Sequence, residues 1–193
     1  MRFAVVGSPI AHSKSPKMHA AAYRALGLDH VYEAIDVADA DLPAIVDALK
    51  RGEFQGLNVT VPHKLRALAL ADEVAKSAKA VGAANTLVRG SDGKIVAHNT
   101  DVEALRRELA ALSGSEYALI GKTGVVVGTG GAARAAIEAL TALGATRIVV
   151  VGRDPSALAR GAIVGRTLAA GPFAEDGIAA IVQCTTAGMQ GGP

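Results

Sequence analysis

The residues best equipped for chemistry sit in one stretch, Gly56-Leu57-Asn58-Val59-Thr60-Val61-Pro62-His63-Lys64. It reads as a short strand running into a helix. Alternation along the strand sends Leu57, Val59 and Val61 to a buried face and Asn58 and Thr60 to the other, so two hydrogen-bonding side chains line one wall of a polar pocket. Pro62 has no N–H to continue a ladder and presets a first helical turn, which puts Lys64 in that turn. A helix N-terminus carries partial positive charge and disfavours a nearby ammonium by about 0.3–1 kcal/mol. A lysine there points to an anionic partner or to a chemical task. The plainer reading is a solvated surface lysine, and the rest of the chain has to decide between them.

Other polar residues fall at comparable places. Ser15-Pro16 reads as N-cap and first position of a helix through Met18, Ala21, Ala22 and Ala25 that stops at Gly27. Ser15 as a cap is purely structural. With Ser13 beside it, two hydroxyls and the helix N–H groups also make a seat for a carboxylate. Thr100 and Glu103 have capping-box spacing, which would leave Asp101 as a favourable first-turn acid. Yet Asn58, Thr60, Lys64, Asn85, Asn99 and Asp101 all fall at strand ends or helix starts. Such ends gather on one edge of a parallel sheet, where open α/β folds hold their ligands.

A second constellation follows. Thr123-Gly124-Val125-Val126-Val127 is a buried strand that meets Gly128-Thr129-Gly130-Gly131-Ala132-Ala133-Arg134, a glycine turn opening a helix. Gly128, Gly130 and Ala133 have G-x-G-x-x-A spacing in the strand–turn–helix context that gives the pattern meaning. Glycines there admit a pyrophosphate to the backbone, and the helix N-terminus attracts it. The tip of the next strand, Gly152-Arg153-Asp154, should lie near the adenosine ribose. Arg153 suits a 2′-phosphate and Asp154 a free 2′-hydroxyl, so both dinucleotides stay open.

The elements that must position these groups follow a βαβ rhythm. Strands are expected at Phe3–Val6 and Tyr32–Val37, then the central strand, then a hairpin of Asn85–Val88 and Lys94–His98 about Ser91-Asp92-Gly93. Helices are expected from Asp41, as cap, to Lys50, from Pro62 towards Ala80 with Gly82 as stop, and over Val102–Leu112. Ser113 to Lys122 reads as a link to the second unit. There Arg147–Val151 and Ile178–Cys184 read as buried strands, and the region from Ala157 to Gly177 offers no convincing third one. Hydrophobic residues make up 50% of the 193, so the chain can bury real cores, and with aromatics at 3% these must be built from Ala, Val, Leu and Ile, as suits helices on a buried sheet. Net charge is +2 with the signs interspersed, which proposes no nucleic-acid face. Cys184 alone cannot make an internal disulfide and reads as a buried, unreactive thiol. No apolar run approaches the roughly 20 residues that span a bilayer, and the N-terminus is too short for a signal sequence, so a cytoplasmic location is expected. No metal site is expected.

Taken together, these motifs resemble the shikimate dehydrogenases, including their quinate/shikimate relatives, over essentially the whole chain. The resemblance rests on Gly7-Ser8-Pro9-Ile10 with His12-Ser13-Lys14-Ser15-Pro16, on Asn58 to Lys64, on Gly82-Ala83-Ala84-Asn85-Thr86, on Asn99-Thr100-Asp101 and on Gly128 to Arg134. It implies an α/β fold with a substrate-binding catalytic domain over 1–100 and a Rossmann-type NAD(P)-binding domain, C-terminally incomplete, over 101–193. It also implies that Ser13 and Ser15 hold the substrate carboxylate, and that Thr60, Asn85 and Asn99, supported by Asn58, surround the ring hydroxyls. Lys64 and Asp101 would be the catalytic pair, and Gly128, Gly130, Gly131, Ala132, Ala133 and Arg153 would hold the cofactor. The implied reaction is the reversible, NADP-dependent reduction of 3-dehydroshikimate to shikimate in aromatic amino-acid (chorismate) biosynthesis. The implied partner is a small molecule, with neither nucleic acid nor membrane, and a homodimer is the candidate assembly.

Two departures bear on this. NADP-using relatives usually carry Asn-Arg-Thr at the strand tip with another basic residue soon after, whereas here only Arg153 matches, so NAD stays an alternative. Gln183 to Met189 resembles the family's Asn-Ala-Thr-x-x-Gly-Met segment, but the strands and returning helix that normally follow are absent, leaving an exposed apolar edge. The competing readings are an NAD-dependent quinate/shikimate dehydrogenase, and a noncatalytic ligand-binding protein or fragment.

Overall fold

The computed structural model describes residues 1–159, 161–167 and 175–187. The chain divides into two units, Met1–Asn99 and Thr100 onward. In the first, the elements run β1 (Arg2–Gly7), α1 (Ser15–Ala25), β2 (Val31–Asp36), α2 (Leu42–Lys50), β3 (Gly56–Val59), α3 (Lys64–Leu70), β4 (Glu73–Val74), α4 (Lys76–Val81), β5 (Thr86–Arg89) and β6 (Ile95–His98). The sheet order is β2-β1-β3-β5-β6-β4. β1 is parallel to β2 and β3, β5 is antiparallel to β3 and β6, and β4 is parallel to β6.

Register explains the two faces of this sheet. Ala4 pairs with Leu57, Val6 with Val59, Leu57 with Leu87 and Leu87 with Ala97, so these side chains share a face and bury together with Leu42, Val46 and Leu49 of α2. The opposite face carries Tyr32, Asn58 and Thr86, with Asn58 directly across from both Val5 and Thr86.

Four local expectations change. β3 stops at Val59, and Val61, expected on the buried face, is 44% exposed because the chain has already turned towards α3. The single helix expected over 62–80 is two short helices separated by β4, since Asp72 takes the Ile95 N–H and Glu73-Val74 pair with β6 instead of continuing the turn. Ser15 is the first helical residue rather than the cap; Ser13 Oγ, 3.3 Å away, accepts its N–H. The expected capping box at α5 (Asp101–Ser113) does not form, because Arg106 and Arg107 take the Glu103 carboxylate and hold its pKa down at about 2.

In the second unit α5 is followed by β7 (Thr123–Val127), α6 (Gly131–Ala142), β8 (Arg147–Gly152), β9 (Ile163–Thr167) and β10 (Ile178–Gln183). The four strands are all parallel, in the order β10-β7-β8-β9. Val126, Val150, Ala136, Leu140 and Leu143 form the core, and α5 packs against α6. β9 corrects the expectation that no third strand lies between 157 and 177: Ile163 to Thr167 pair with Ile148 to Gly152. β10, expected to be buried, is an edge strand with Ile181 67% exposed, and Cys184 after it is half-buried. No helix among the described residues is long and apolar enough to cross a membrane. Residues 188–193, which include Gly188 and Met189 of the segment compared above with the family's pattern, lie outside the described residues.

β1 and β3 meet closely where they end. A Cβ on Gly7 would stand 2.5 Å from Thr60 Cγ2 and 2.9 Å from the Val61 carbonyl oxygen. Thr60 N–H donates to the Val6 carbonyl at 2.9 Å and Ser8 N–H to the Val61 carbonyl at 3.0 Å, so neither backbone can step aside without breaking the pairing. Gly7→Ala is therefore expected to lower stability by about 1–3 kcal/mol, the usual cost of forcing an extra carbon into a packed site. Urea unfolding monitored by circular dichroism reads this directly; an unchanged midpoint would show that the contact relaxes freely.

Candidate functional site

The polar residues singled out in the sequence collect on the first unit's sheet edge. Thr60 follows the carboxyl end of β3, Asn99 follows the carboxyl end of β6, and β5 runs the other way, so that Asn85, just before its start, comes to the same edge. Backbone contacts tie these positions together. Asn85 N–H donates to the His98 carbonyl at 3.1 Å, Val59 N–H to the Asn85 carbonyl at 2.8 Å, and Ala84 N–H to the Lys64 carbonyl at 2.8 Å. The Asn99 amide nitrogen donates to the Ala83 carbonyl at 3.0 Å, and its backbone N–H to Ser77 Oγ at 3.2 Å. Asn85 and Asn99 are buried, at 8% and 4% exposure, while Lys64 is half-buried. A primary ammonium beside two buried amides and a threonine hydroxyl can hold a polyhydroxylated ring and exchange a proton with one of its oxygens.

Lys64 lies in the first turn of α3, as expected, although the helix begins at Lys64 itself rather than at Pro62, and His63 fixes it there. His63 is fully buried, with Nε2 donating to the Val37 carbonyl at 2.7 Å and Nδ1 lying 3.3 Å from Asp39 Oδ1. Arg66, one turn later, reaches both the backbone carbonyl and the carboxylate of Asp39, the latter at 2.6 Å. The helix start is thus moored to the turn after β2. The loop carrying Ser13 is held from the same place: Asp36 accepts Ser8 Oγ–H at 2.7 Å and Ile10 N–H at 3.2 Å. Ser13 and Ser15 are both half-buried at the start of α1.

Asn58 links three strands through its side chain. Its Oδ1 accepts from Tyr32 Oη–H at 2.6 Å, its Nδ2 donates to Thr86 Oγ1 at 3.3 Å, and Thr86 Oγ1 donates to Asn85 Oδ1 at 2.9 Å. Burial, followed by the neighbouring Tyr23, pushes the Tyr32 hydroxyl up to about 12, so it stays protonated. Sequence reasoning does not single out His63, Asp39, Asp36 or Tyr32. Only His63 leaves a signal, a titratable side chain wedged between a proline and the candidate catalytic lysine.

Asp101 is the first residue of α5, two positions after Asn99 and the second residue of the other unit. In that unit the glycine turn has the form a dinucleotide phosphate needs. Gly128 has φ +123°, a left-handed-side value, and a Cβ there would touch the Cys184 carbonyl at 3.0 Å, so only glycine fits. Around a Cβ built on Gly130 there is open space to 4 Å, which is where a ligand backbone could approach. Gly131 and Ala132 open α6 half-buried, Ala133 is fully buried between helix and sheet, and Arg134 Nε is buried without a hydrogen-bond partner. Gly152 lies against Thr129, whose Cγ2 would stand 2.7 Å from any Cβ. Arg153 is exposed at the strand tip, and Asp154 is turned back on its own loop: Ser156 Oγ–H and then Ser156 N–H, at 2.5 and 3.2 Å, hold its carboxyl below the usual range. These residues fit a phosphorylated dinucleotide. Among the described residues no group of three or more His, Cys, Asp or Glu could hold a metal ion.

Comparison with known proteins is consistent with this geometry. The family model of the shikimate dehydrogenase substrate binding domain matches residues 5–87. The shikimate dehydrogenase (NADP(+)) of Methylobacterium radiotolerans is 41% identical over 198 residues, a match that takes in 98% of this chain and 70% of that protein. A solved shikimate dehydrogenase in complex with NADP+ is 32% identical with a TM-score of 0.81, over 97% of this chain and 67% of that one. The shikimate 5-dehydrogenase of Thermus thermophilus in complex with shikimate is 40% identical with a TM-score of 0.70, over 80% of this chain and 57% of that one.

The mooring of α3 has a measurable consequence. His63→Ala leaves a cavity in place of a buried ring and strips two polar groups of their partner, so a loss of about 2–4 kcal/mol is expected. Asp39→Asn, at an exposed position, should cost far less. An unfolding midpoint for His63→Ala equal to that of the unaltered chain would remove His63 from the residues that hold the helix start.

Proposed function

Since this chain belongs to the shikimate dehydrogenase family, we propose that it catalyses the reversible NADP-dependent oxidation of shikimate to 3-dehydroshikimate, a step of aromatic amino-acid biosynthesis. The observation that carries the proposal is the single sheet edge that holds Thr60, Lys64, Asn85 and Asn99, tied together through hydrogen bonds to their chain neighbours Val59, Ala83, Ala84 and His98. The chain spans 70% of the curated relative's length and 57–67% of the two solved chains, so activity of these 193 residues by themselves is part of the proposal.

In this reading the hydroxyls of Ser13 and Ser15, at the positive end of α1, hold the ring carboxylate. Thr60, Asn85 and Asn99 surround the ring hydroxyls, with Asn58 behind them. Lys64 Nζ takes the proton of the reacting hydroxyl during oxidation and returns it to the oxygen during reduction, with Asp101 as the second member of the acid/base pair. The nicotinamide, when bound, supplies or accepts the hydride at the ring carbon. Gly128, Gly130, Gly131, Ala132 and Ala133 bring its pyrophosphate to the start of α6. Arg153 faces the ribose phosphate; with Asp154 hydrogen-bonded to Ser156, the repulsion expected from an adjacent acid is weakened, which favours NADP over NAD.

Nicotinamide absorbance on the purified chain, with shikimate and either NADP+ or NAD+, tests this. Shikimate-dependent reduction of NADP+ is expected, and its absence with both cofactors would favour a binding-only protein or a fragment. Lys64→Ala should lower turnover by about 10²–10⁴-fold with a smaller change in shikimate KM; equal turnover would exclude the lysine from proton transfer. For the cofactor assignment, Arg153→Leu should raise the NADP+ KM by about 10–100-fold, the worth of a charge-assisted contact, and leave the NAD+ KM alone. A parallel rise in both would point to general damage at the strand tip.

A further inference from the structure

We propose that Tyr32 and Thr86 are positioning residues of the substrate site: a one-way hydrogen-bond chain from Tyr32 through Asn58 and Thr86 orients the Asn85 side-chain amide as a donor towards the ring hydroxyls. The inference rests on the reading of Asn85 as a substrate contact and adds the device that sets its polarity.

The sense of the chain follows from its distances. Reversing the first link would require Asn58 to turn its Nδ2 to the Tyr32 oxygen. A reversed chain would make the Tyr32–Asn58 contact an N–H···O bond, whose ordinary length is about 2.9–3.0 Å, whereas 2.6 Å lies in the range of an O–H···O bond. The Asn58–Thr86 contact at 3.3 Å is long, as an amide N–H···O bond can be and a hydroxyl O–H···O bond seldom is. Tyr32 therefore donates, which fixes the Asn58 amide. Asn58 Oδ1 is the acceptor, its Nδ2 must donate to Thr86, and the one hydrogen of the Thr86 hydroxyl goes to Asn85 Oδ1 at 2.9 Å. With Oδ1 turned to the Thr86 hydroxyl, the Asn85 Nδ2 lies on the other branch of the amide, directed away from Thr86.

The chain is anchored at its origin. Tyr32 lies on β2, two strands from β3, and its ring reaches across β1 to Asn58. His19 of α1 stacks on it with ring centroids 3.9 Å apart and planes 12° from parallel, which fixes the direction of the hydroxyl. Asn58 and Thr86 are direct cross-strand partners, so β3–β5 pairing holds the middle link. A protonated hydroxyl at the origin is assured by the raised pKa of Tyr32. Tyr32, Asn58 and Thr86 sit on the face of the sheet opposite the apolar core.

Three substitutions separate positioning from packing. Thr86→Val keeps the shape and removes the hydroxyl, and Thr86→Ser keeps the hydroxyl. Tyr32→Phe removes the donor and keeps the stack on His19. Shikimate titration by calorimetry on the full chain should show Kd raised about 3–10-fold for Thr86→Val and Tyr32→Phe, the effect of losing one hydrogen bond, with Thr86→Ser close to the unaltered protein. The NADP+ KM of Thr86→Val should stay near its original value. A second readout needs no ligand: the side-chain amide resonances of Asn85 in a nitrogen-15 spectrum should shift in Thr86→Val and in Tyr32→Phe and return in Thr86→Ser. Unmoved Asn85 resonances in Thr86→Val, or a Thr86→Ser variant as weak as Thr86→Val, would overturn the chain. Failure of the unaltered protein to bind shikimate would overturn the functional reading instead, and the ligand-free resonances would still decide whether the chain exists.

Discussion

The substrate-side edge depends on β1 and β3 lying flush at their carboxyl ends. At Gly7 the missing side chain lets the Thr60 methyl and the Val61 carbonyl come within a distance no Cβ would tolerate. From that contact the rest follows in short steps. Ser8 and Asp36 steer the first loop towards α1, and the turn after Thr60 delivers His63 into the core, where it meets Val37. Lys64 then has little freedom, because both its helix start and its carbonyl oxygen are held, the latter by Ala84. Close packing transmits the position of one backbone to the next without slack. The reversal at β5 completes the edge. In an all-parallel sheet it would receive only residues that follow strands. Here β5 enters from that edge, so Asn85 precedes its strand while Thr60 and Asn99 follow theirs. Asn85 can thus hydrogen-bond to His98 on one side and Val59 on the other while its side chain meets Thr86. The arrangement replaces a ligand loop, which would be mobile, with strand termini, which are fixed by pairing.

Much of this is legible in the residues. The G-x-G-x-x-A turn, the hairpin about Ser91-Asp92-Gly93 and the strand before Lys64 stand out because backbone demands there select glycine, proline or alternating apolar side chains. What the residues do not disclose is tertiary. Tyr32 looks like any strand aromatic, and nothing local says that its hydroxyl finds Asn58 across another strand. Ile163 to Thr167 contains Gly165 and Arg166 and lacks the apolar run of its neighbours, so only pairing with β8 makes it a strand. Residues 62–80 have helical content throughout, and the break at Glu73-Val74 is imposed by β6. Val61 continues the alternation in sequence after the strand in space has ended.

β9 also bears on how the second unit closes. Between β8 and β9 the segment 153–162 contains, among its described residues, a single 3-10 turn, Ser156–Leu158, where parallel strands usually require a helix of about a dozen residues or more. Leu158 and Pro155 fill part of the space such a helix would occupy, both of them buried, and Gly165 accommodates the proline ring at 3.1 Å from a would-be Cβ. The Ser156–Asp154 contacts belong to this same abbreviated turn, so the economy of the crossover and the orientation of the acid beside Arg153 are one feature.

Under the proposed role of Asn85, the polarity of the Tyr32–Asn58–Thr86–Asn85 chain bears on the choice among look-alike ligands as well as on affinity. A ring hydroxyl carries lone pairs as well as a hydrogen and can turn its lone pairs towards the Asn85 N–H groups. An amine in its place, protonated at neutral pH, has hydrogens only, and would confront donors with donors and a partial positive charge with a full one. On the proposed reading of Asn85 as a substrate contact, an aminoshikimate-type compound, though nearly the same size and shape, meets donors with donors at that corner, and a tyrosine two strands away sets the amide that does the sorting.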